Sequence, residues 1–322
     1  MGKQNLFTFN FREVIIFIIK LFVLFGMIIS FLLNVSPQYL KNYQASLIDK
    51  AYRAESINEP KIVLLGNSNL AFGIDSEKIQ DAFHMPVVNM GLHGGLGNVF
   101  HERMALLNVN EGDIYIICHS SYADNGKIGN LELAWITIEN HWNLWKILRS
   151  DDIKPMWETY PVYLKKCLSL WITGKGNIDD GGVYSRSAFN EYGDIEWEDN
   201  GYKYDFGEYQ SGVSDISDNV VERLNSLNEY LNSKGATLLL AGYPIADTLR
   251  RSSNMEFIHF QNELKEKMNA PVISNYIDYI YPCDYFFNAT LHLNNIGKEV
   301  RTNQLIKDLK KYFQENCFPF NN

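Results

Sequence analysis

Residues Val14–Leu33, VIIFIIKLFVLFGMIISFLL, constrain this chain more than any other segment. The block is 20 residues long and carries one charge, Lys20. At about 1.5 Å rise per residue, a helix of that length matches the ~30 Å hydrocarbon core of a bilayer. Lys20 lies about two turns in, close enough for its stem to snorkel toward an interface. A soluble helix would need a polar face, which the block lacks. A cleaved signal peptide is the weaker alternative, because the apolar region is too long and no small-x-small cleavage site follows. The segment therefore predicts a retained membrane anchor. Charges do not orient it: Lys3 and Arg12 precede the block, while Lys41, Lys50 and Arg53 follow. The start MGKQNL lacks the Ser or Thr of a myristoylation signal.

The rest of the chain alternates between two hydrophobic periods. Pro37–Glu55 reads as a helix leading away from the membrane, within a helical linker over 34–60. Short apolar runs at Lys61–Gly66, Pro86–Met90, Asp113–Cys118, Ala236–Pro244 and Pro271–Ser274 read as buried parallel strands. Between them lie helical patterns: Ser76–Phe83 with Ser76 as its N-cap, Leu96–Leu107, Ser217–Ser233, Asn254–Met268 and Asn295–Phe313. In the last, Ile296, Val300, Leu305, Leu309 and Tyr312 share one face. Strand–helix alternation predicts an α/β fold with a parallel sheet covered on both sides. The expected organisation is a tail over 1–13, an anchor over 14–33, the linker, and one α/β domain over 61–322.

An aromatic-rich insertion at 123–214 interrupts that rhythm. Two helices are expected in it, Leu131–Leu148 and Pro155–Thr173, followed by a long irregular loop over Gly174–Gly212. Long loops in compact domains are usually functional or disordered. Phe189, Tyr192, Trp197, Tyr202 and Tyr204 suit an ordered lid over a sugar ring, and suit equally a cap on the end of the sheet.

Composition excludes some partners. The chain has 29 Lys and Arg against 38 Asp and Glu, a formal net charge of −9, which disfavours nucleic acid. Cys118, Cys167, Cys283 and Cys317 have neither disulfide-scaffold density nor metal-ligand spacing. No metal or other cofactor is expected. The glycines at 91–97 do not fit a dinucleotide-binding spacing, and no P-loop lysine follows.

In an open parallel sheet, ligands bind beyond the carboxyl ends of the strands. The turns there read Gly66-Asn67-Ser68-Asn69, Asn89-Met90-Gly91-Leu92-His93-Gly94-Gly95, and His119-Ser120-Ser121-Tyr122. The chain returns to the same edge at Phe287–Asn294. Ser68 directly follows a strand and a glycine. A serine needs a base to take its proton and backbone N–H groups to hold the oxyanion. His292, just before the last helix, is the candidate base, and the turn at Gly91 the candidate donor. His93 reads more readily as a packing or solvent-facing residue. Asn34-Val35-Ser36 and Asn288-Ala289-Thr290 match glycosylation sequons by chance.

Together, LLGNSNLAFGIDSEKI (Leu64–Ile79), VVNMGLHGGLG (Val87–Gly97), SAFNEYGDI (Ser187–Ile195) and FFNATLHLNNIGKEVRT (Phe286–Thr302) resemble the SGNH/GDSL hydrolase-like superfamily. The resemblance is to its membrane-anchored bacterial branch of cell-envelope and exopolysaccharide proteins. It covers most of 61–314 and implies a flavodoxin-like three-layer α/β sandwich. It further implies Ser68 as nucleophile, His292 as base and Gly91 as second-block oxyanion donor; Asn89, Asn69 and Asn190 in the same motifs are the further candidates for oxyanion or substrate contacts. It places the domain on the extracytoplasmic side. Two departures stand out. The aspartate expected shortly before the histidine is absent, and Asn288 occupies the place four before it. The third-block asparagine is also missing, with Ser120, Ser121 or Asn190 as its possible substitutes. The implied activity is a serine esterase or O-acyltransferase acting on an acylated cell-surface glycan or an acyl donor, with a membrane acyltransferase as a natural partner. The alternative is a catalytically degenerate glycan-binding or envelope-assembly protein.

Overall fold

A computed structural model describes residues 10–35, 38–139, 141–197 and 211–316. The apolar block forms helix α1, Phe11–Val35. Within it, Phe11–Leu32 is long and apolar enough to cross a membrane, and none of it is buried by the rest of the chain. The segment expected as a linker is part of the core instead. A short 3-10 turn, Tyr43–Ala45, runs into α2, Ser46–Ser56, whose Leu47, Ala51 and Ala54 are buried.

The elements that follow are β1 (Ile62–Leu65), α3 (Ser68–Gly73), α4 (Ser76–Phe83), β2 (Val87–Asn89), α5 (Asn98–Arg103) and β3 (Ile114–Ile117). The insertion supplies α6 (Leu131–Ile138) and α7 (Ser150–Thr173). Then come α8 (Asp218–Ser233), β4 (Thr237–Leu240), β5 (Ile245–Ala246), α9 (Asn254–Lys267), β6 (Ile280–Tyr281), β7 (Phe286–Ala289), β8 (His292–Leu293) and α10 (Asn295–Glu315). The main sheet has order β2-β1-β3-β4, and every pair in it is parallel. Successive strand residues point to opposite faces, which explains why these strands read as unbroken apolar runs. Val63, Leu65, Tyr115, Ile117, Leu238 and Leu240 join one core cluster, with α5, α6 and α8. Ile62, Leu64, Ile114, Ile116 and Leu239 join the other, with α4 and α10. Buried Lys61 locks the start of β1 to that of β3, its Nζ donating to Asp113 at 2.7 Å.

Several local expectations are corrected. Asp75, not Ser76, caps α4, accepting from the Lys78 N–H, and Ser76 turns its hydroxyl to Asp194. The helix expected over Leu96–Leu107 breaks at Gly97, where φ is +81°, and continues as α5 and a 3-10 turn. The strand expected over Ala236–Pro244 pairs only as far as Leu240, and Pro271–Ser274 makes a single parallel bridge, Leu240 to Val272. The helix expected over Leu131–Leu148 stops at Ile138, and Trp142–Ile147 is 3-10. Helix α7 starts five residues before its expected start, and Pro155 and Pro161 lie inside it. In α10, Ile296 and Val300 are exposed, while Arg301, Leu305, Leu309 and Phe313 face inward. The described part of the loop after α7 contains 3-10 turns at Gly182–Tyr184 and Arg186–Ala188. Tyr202, Tyr204 and Cys317 lie outside the described residues, whereas Cys118, Cys167 and Cys283 are free thiols.

Candidate active site

The turn after β1 delivers Ser68 to the first position of α3. Asn67 is the N-cap, its side-chain oxygen accepting from the Asn69 N–H at 2.9 Å. That cap fixes a sharp strand-to-helix turn and leaves the Ser68 side chain half-buried at the sheet's carboxyl edge. His292 opens β8, which returns antiparallel along β7 in a hairpin. The hairpin is held beside α3 by its contact with that helix. His292 Nε2 stands 2.8 Å from Ser68 Oγ, and His292 Nδ1 stands 2.8 Å from Asn288 Oδ1. The Asn288 amide in turn donates to the Tyr184 hydroxyl at 2.7 Å, which turns its oxygen toward the ring. With the Nδ1 proton held by Asn288, Nε2 presents a lone pair to Ser68. Ser68, His292 and Asn288 are therefore brought together in the relay that a serine nucleophile requires.

The electrostatics depart from the usual relay. His292 is 9% exposed, and the Phe72 ring stacks on it at 3.9 Å with 9° between the planes. Burial, with a smaller push from His93, brings the imidazole down to about 3. The neutral Asn288 offers no opposing charge. The imidazole is thus neutral across the physiological range, and the imidazolium formed during proton transfer is costly.

The accessory residues fall elsewhere. The Gly91 N–H, expected to face an oxyanion, donates to Asn89 Oδ1 at 2.8 Å, and Gly91 is buried. A Cβ there would come 2.5 Å from the Ala71 nitrogen, so glycine is required for close packing against α3. The Asn89 side chain also donates to Leu70 O and to Asp194 Oδ1. Asn69 is fully buried, donating to Asn67 Oδ1 and Cys118 O while its own oxygens accept from Arg301. Asn190 shapes its own turn, accepting from the Tyr192 and Asp194 N–H groups and donating to Glu196. These four residues hold the turns that carry the site and do not face Ser68. Asp194 accepts from Ser76, and Lys50 donates to Asn89 O and Gly193 O, so the loop Ser187–Ile195 is tied beneath the second turn. Burial lowers Lys50 to about 7 and raises Asp194.

Sequence reasoning missed one free donor at this edge. Among the described residues the Gly94 N–H has no close acceptor, whereas the parallel bridge between Asn67 and Leu92 turns the Ser68 N–H toward Leu92 O. Gly94 lies against Asn67, where a Cβ would sit 3.6 Å from the Asn67 Cβ. Asn67 Nδ2 donates to Ser120 Oγ at 2.9 Å, which brings the turn after β3 to the same edge. Ser121 instead bonds Ser214. The signal was the asparagine directly before Ser68 and the paired glycines after His93. His93 is exposed, and its Nδ1 accepts from the Gly95 N–H, leaving its other nitrogen outward.

A cavity of about 550 Å³ is lined among others by Trp197, Phe287, Val183 and Glu196; Ser68, His292 and Asn288 do not line it, and Phe287 is the chain neighbour of Asn288. Trp197 packs on Phe287 at 3.9 Å, and Phe287 stacks on Phe72, which covers His292. A larger cavity of about 730 Å³, lined by Arg103, Arg149 and Arg223 among others, contains none of the triad residues. Among the described residues, no group of three or more His, Cys, Asp or Glu is placed to hold a metal ion. No family model matches the chain, and no curated protein matches it significantly.

Proposed function

We propose that this protein is a membrane-anchored serine esterase or O-acyltransferase of the SGNH/GDSL kind, acting on a cell-surface glycan. The observation that carries the reading is the relay Asn288–His292–Ser68, with 2.8 Å at each step. The strand order β2-β1-β3-β4, extended by the bridge at Val272, agrees with a flavodoxin-like three-layer sandwich. Ser68 Oγ attacks an ester carbonyl carbon while its proton passes to His292 Nε2. In this reading the oxyanion is held by the Gly94 N–H, with Asn67 Nδ2 beside it. Collapse expels the alcohol, protonated by His292, and leaves an acyl-Ser68. Water, or a sugar hydroxyl deprotonated by His292, then takes the acyl group and frees Ser68. The Trp197–Phe287 surface, linked to His292 through Phe72, favours a sugar in the cavity it lines. Helix α1 crosses the cytoplasmic membrane in this reading, with the domain outside it and a membrane acyl-donor protein as natural partner.

A fluorophosphonate probe tests the reading. Ser68 is labelled in the intact protein, labelling is lost in Ser68→Ala, and it is reduced in His292→Ala. Equal labelling of all three proteins sinks it. The neutral Asn288 favours a second reading, a glycan-binding protein with a vestigial site. That protein would bind glycan unchanged in Ser68→Ala and turn over no ester.

A further inference from the structure

Helix α7 carries more apolar surface than the domain covers. Met156, Tyr163 and Cys167 form its buried stripe. At its carboxyl end Trp171 is 53% exposed and Ile172 73% exposed. The two are not on a mobile tip. The Gly174 and Lys175 N–H groups close back on Trp171 O and Leu170 O, with Gly174 at φ +67°, so a left-handed cap fixes the helix end. The Trp171 ring meets Phe31 of α1 edge-on, centroids 5.8 Å apart. Tyr163 stacks on Tyr39 just beyond α1, and the Ile178 N–H donates to Gln38 O. The end of α7 is thus seated against the end of α1.

That contact sets a depth. Phe31 lies inside the apolar segment Phe11–Leu32, about 6 Å along the helix axis before Val35. Whatever surrounds α1 at Phe31 also surrounds Trp171. We infer that the carboxyl end of α7 is a second membrane contact, with Trp171 and Ile172 seated in the interfacial layer of the leaflet from which α1 emerges. This rests on the reading of α1 as a membrane span. A tryptophan at that level matches the amphipathic character of the interface, and Ile172 adds apolar area to be buried. Lys165 and Lys175 are offset by Asp179 and Asp180 nearby in the chain, all exposed, and Lys166 is paired with Glu132. The contact is therefore apolar and independent of anionic lipid. It also fixes the domain's tilt, because a single helix would leave the domain free to swing, whereas two contacts do not.

The test uses the full chain in phosphatidylcholine nanodiscs, with Cys283 and Cys317 replaced by serine and Cys118 and Cys167 left buried. A nitroxide is placed in turn at Ile172→Cys, at Gly26→Cys within α1, and at Met255→Cys, an exposed site on α9. Relaxation by oxygen is compared with relaxation by a water-soluble nickel chelate. The expected order puts Gly26 deepest, Ile172 at the interface and Met255 in water, unchanged when anionic lipid is added. If Ile172 matches Met255 while Gly26 is in lipid, the contact is refuted and the anchor stands. If Gly26 is itself in water, the anchor reading fails and takes the contact with it.

Discussion

Replacing Asn288 by aspartate restores a charge to the one relay position that lacks it, and its effect can be worked from the geometry. The Asn288 oxygen stands 2.8 Å from His292 Nδ1, which puts a carboxylate roughly 4 Å from the centre of an imidazolium. At an effective dielectric of about 20 that pair is worth about 4 kcal/mol. At 1.36 kcal/mol per unit, this is about 3 units of His292 titration. Position 288 is partly exposed, so solvent screening trims the gain to about 2 units. The sign follows from burial having pushed His292 down to about 3. In the native protein the base stays neutral to well below pH 5, and the rate of fluorophosphonate labelling is flat from pH 8 to about pH 4. In Asn288→Asp an acidic limb enters near pH 5, because the imidazole there gains a proton and can no longer accept one from Ser68. At pH 8 the same stabilisation of the imidazolium raises the labelling rate, by up to about 100-fold for 2 units. The assay is the second-order labelling rate against pH, with circular dichroism as a check on folding. A folded Asn288→Asp protein with an unmoved limb and an unchanged rate refutes the view that His292 acts as the base for Ser68.

The other predictions are briefer. Phe72→Ala removes the ring that covers His292, costs about 3–5 kcal/mol in denaturant unfolding, and moves the acidic limb upward as water returns to the imidazole; a limb that stays at low pH contradicts burial as the cause. His292 and His101 are both pushed down to about 3 by burial. Each stays neutral in the folded state while its unfolded counterpart gains a proton near 6.5. Their contribution to stability is therefore full above that value and is lost as pH falls toward 3, at up to about 1.4 kcal/mol per group per unit. His292→Asn should remove about half of that slope in urea melts at pH 7, 6 and 5. Asp113→Leu strands the Lys61 ammonium in the core and should cost about 3–5 kcal/mol by urea titration, with little change in any surface property. Arg301→Met takes the guanidinium from both Asn69 oxygens, loosens α3, and should lower labelling of Ser68 as well as stability; a stable variant with native labelling would show that α3 holds Ser68 without it.

The parts of this molecule that were legible in sequence are those decided by short-range periodicity. The apolar block could only be a long exposed helix. The runs at 62–65, 87–89 and 114–117 could only be strands buried on two faces, because they contain no polar alternation. Ser68 and His292 were legible for a related reason: each directly adjoins an element end, and α/β topology sends such ends to one edge although 224 residues separate them. What sequence could not supply was the partner of each polar group in those turns. Gly91, Asn89 and Asn69 sit in the motifs where donors to substrate were expected, yet their hydrogen bonds are taken by Asn67, Arg301, Asp194 and one another. Asp194 and Arg301 lie 105 residues beyond Asn89 and 232 beyond Asn69, and no local pattern announces such a bond. The same accounting leaves the Gly94 N–H as a donor without a close acceptor among the described residues. The buried polar groups at that edge, Asn67, Asn69 and Asn89, are taken up in holding the turns, and buried groups do not go unpaired cheaply. A site assembled this way tolerates Asn288 in the relay, because the position of His292 depends on the hairpin and on Phe72 stacking more than on a charge beside it. Geometry and basicity are therefore separable here. Asn288→Asp should change how strongly Ser68 is activated without moving it, and Arg301→Met should move it without changing the base.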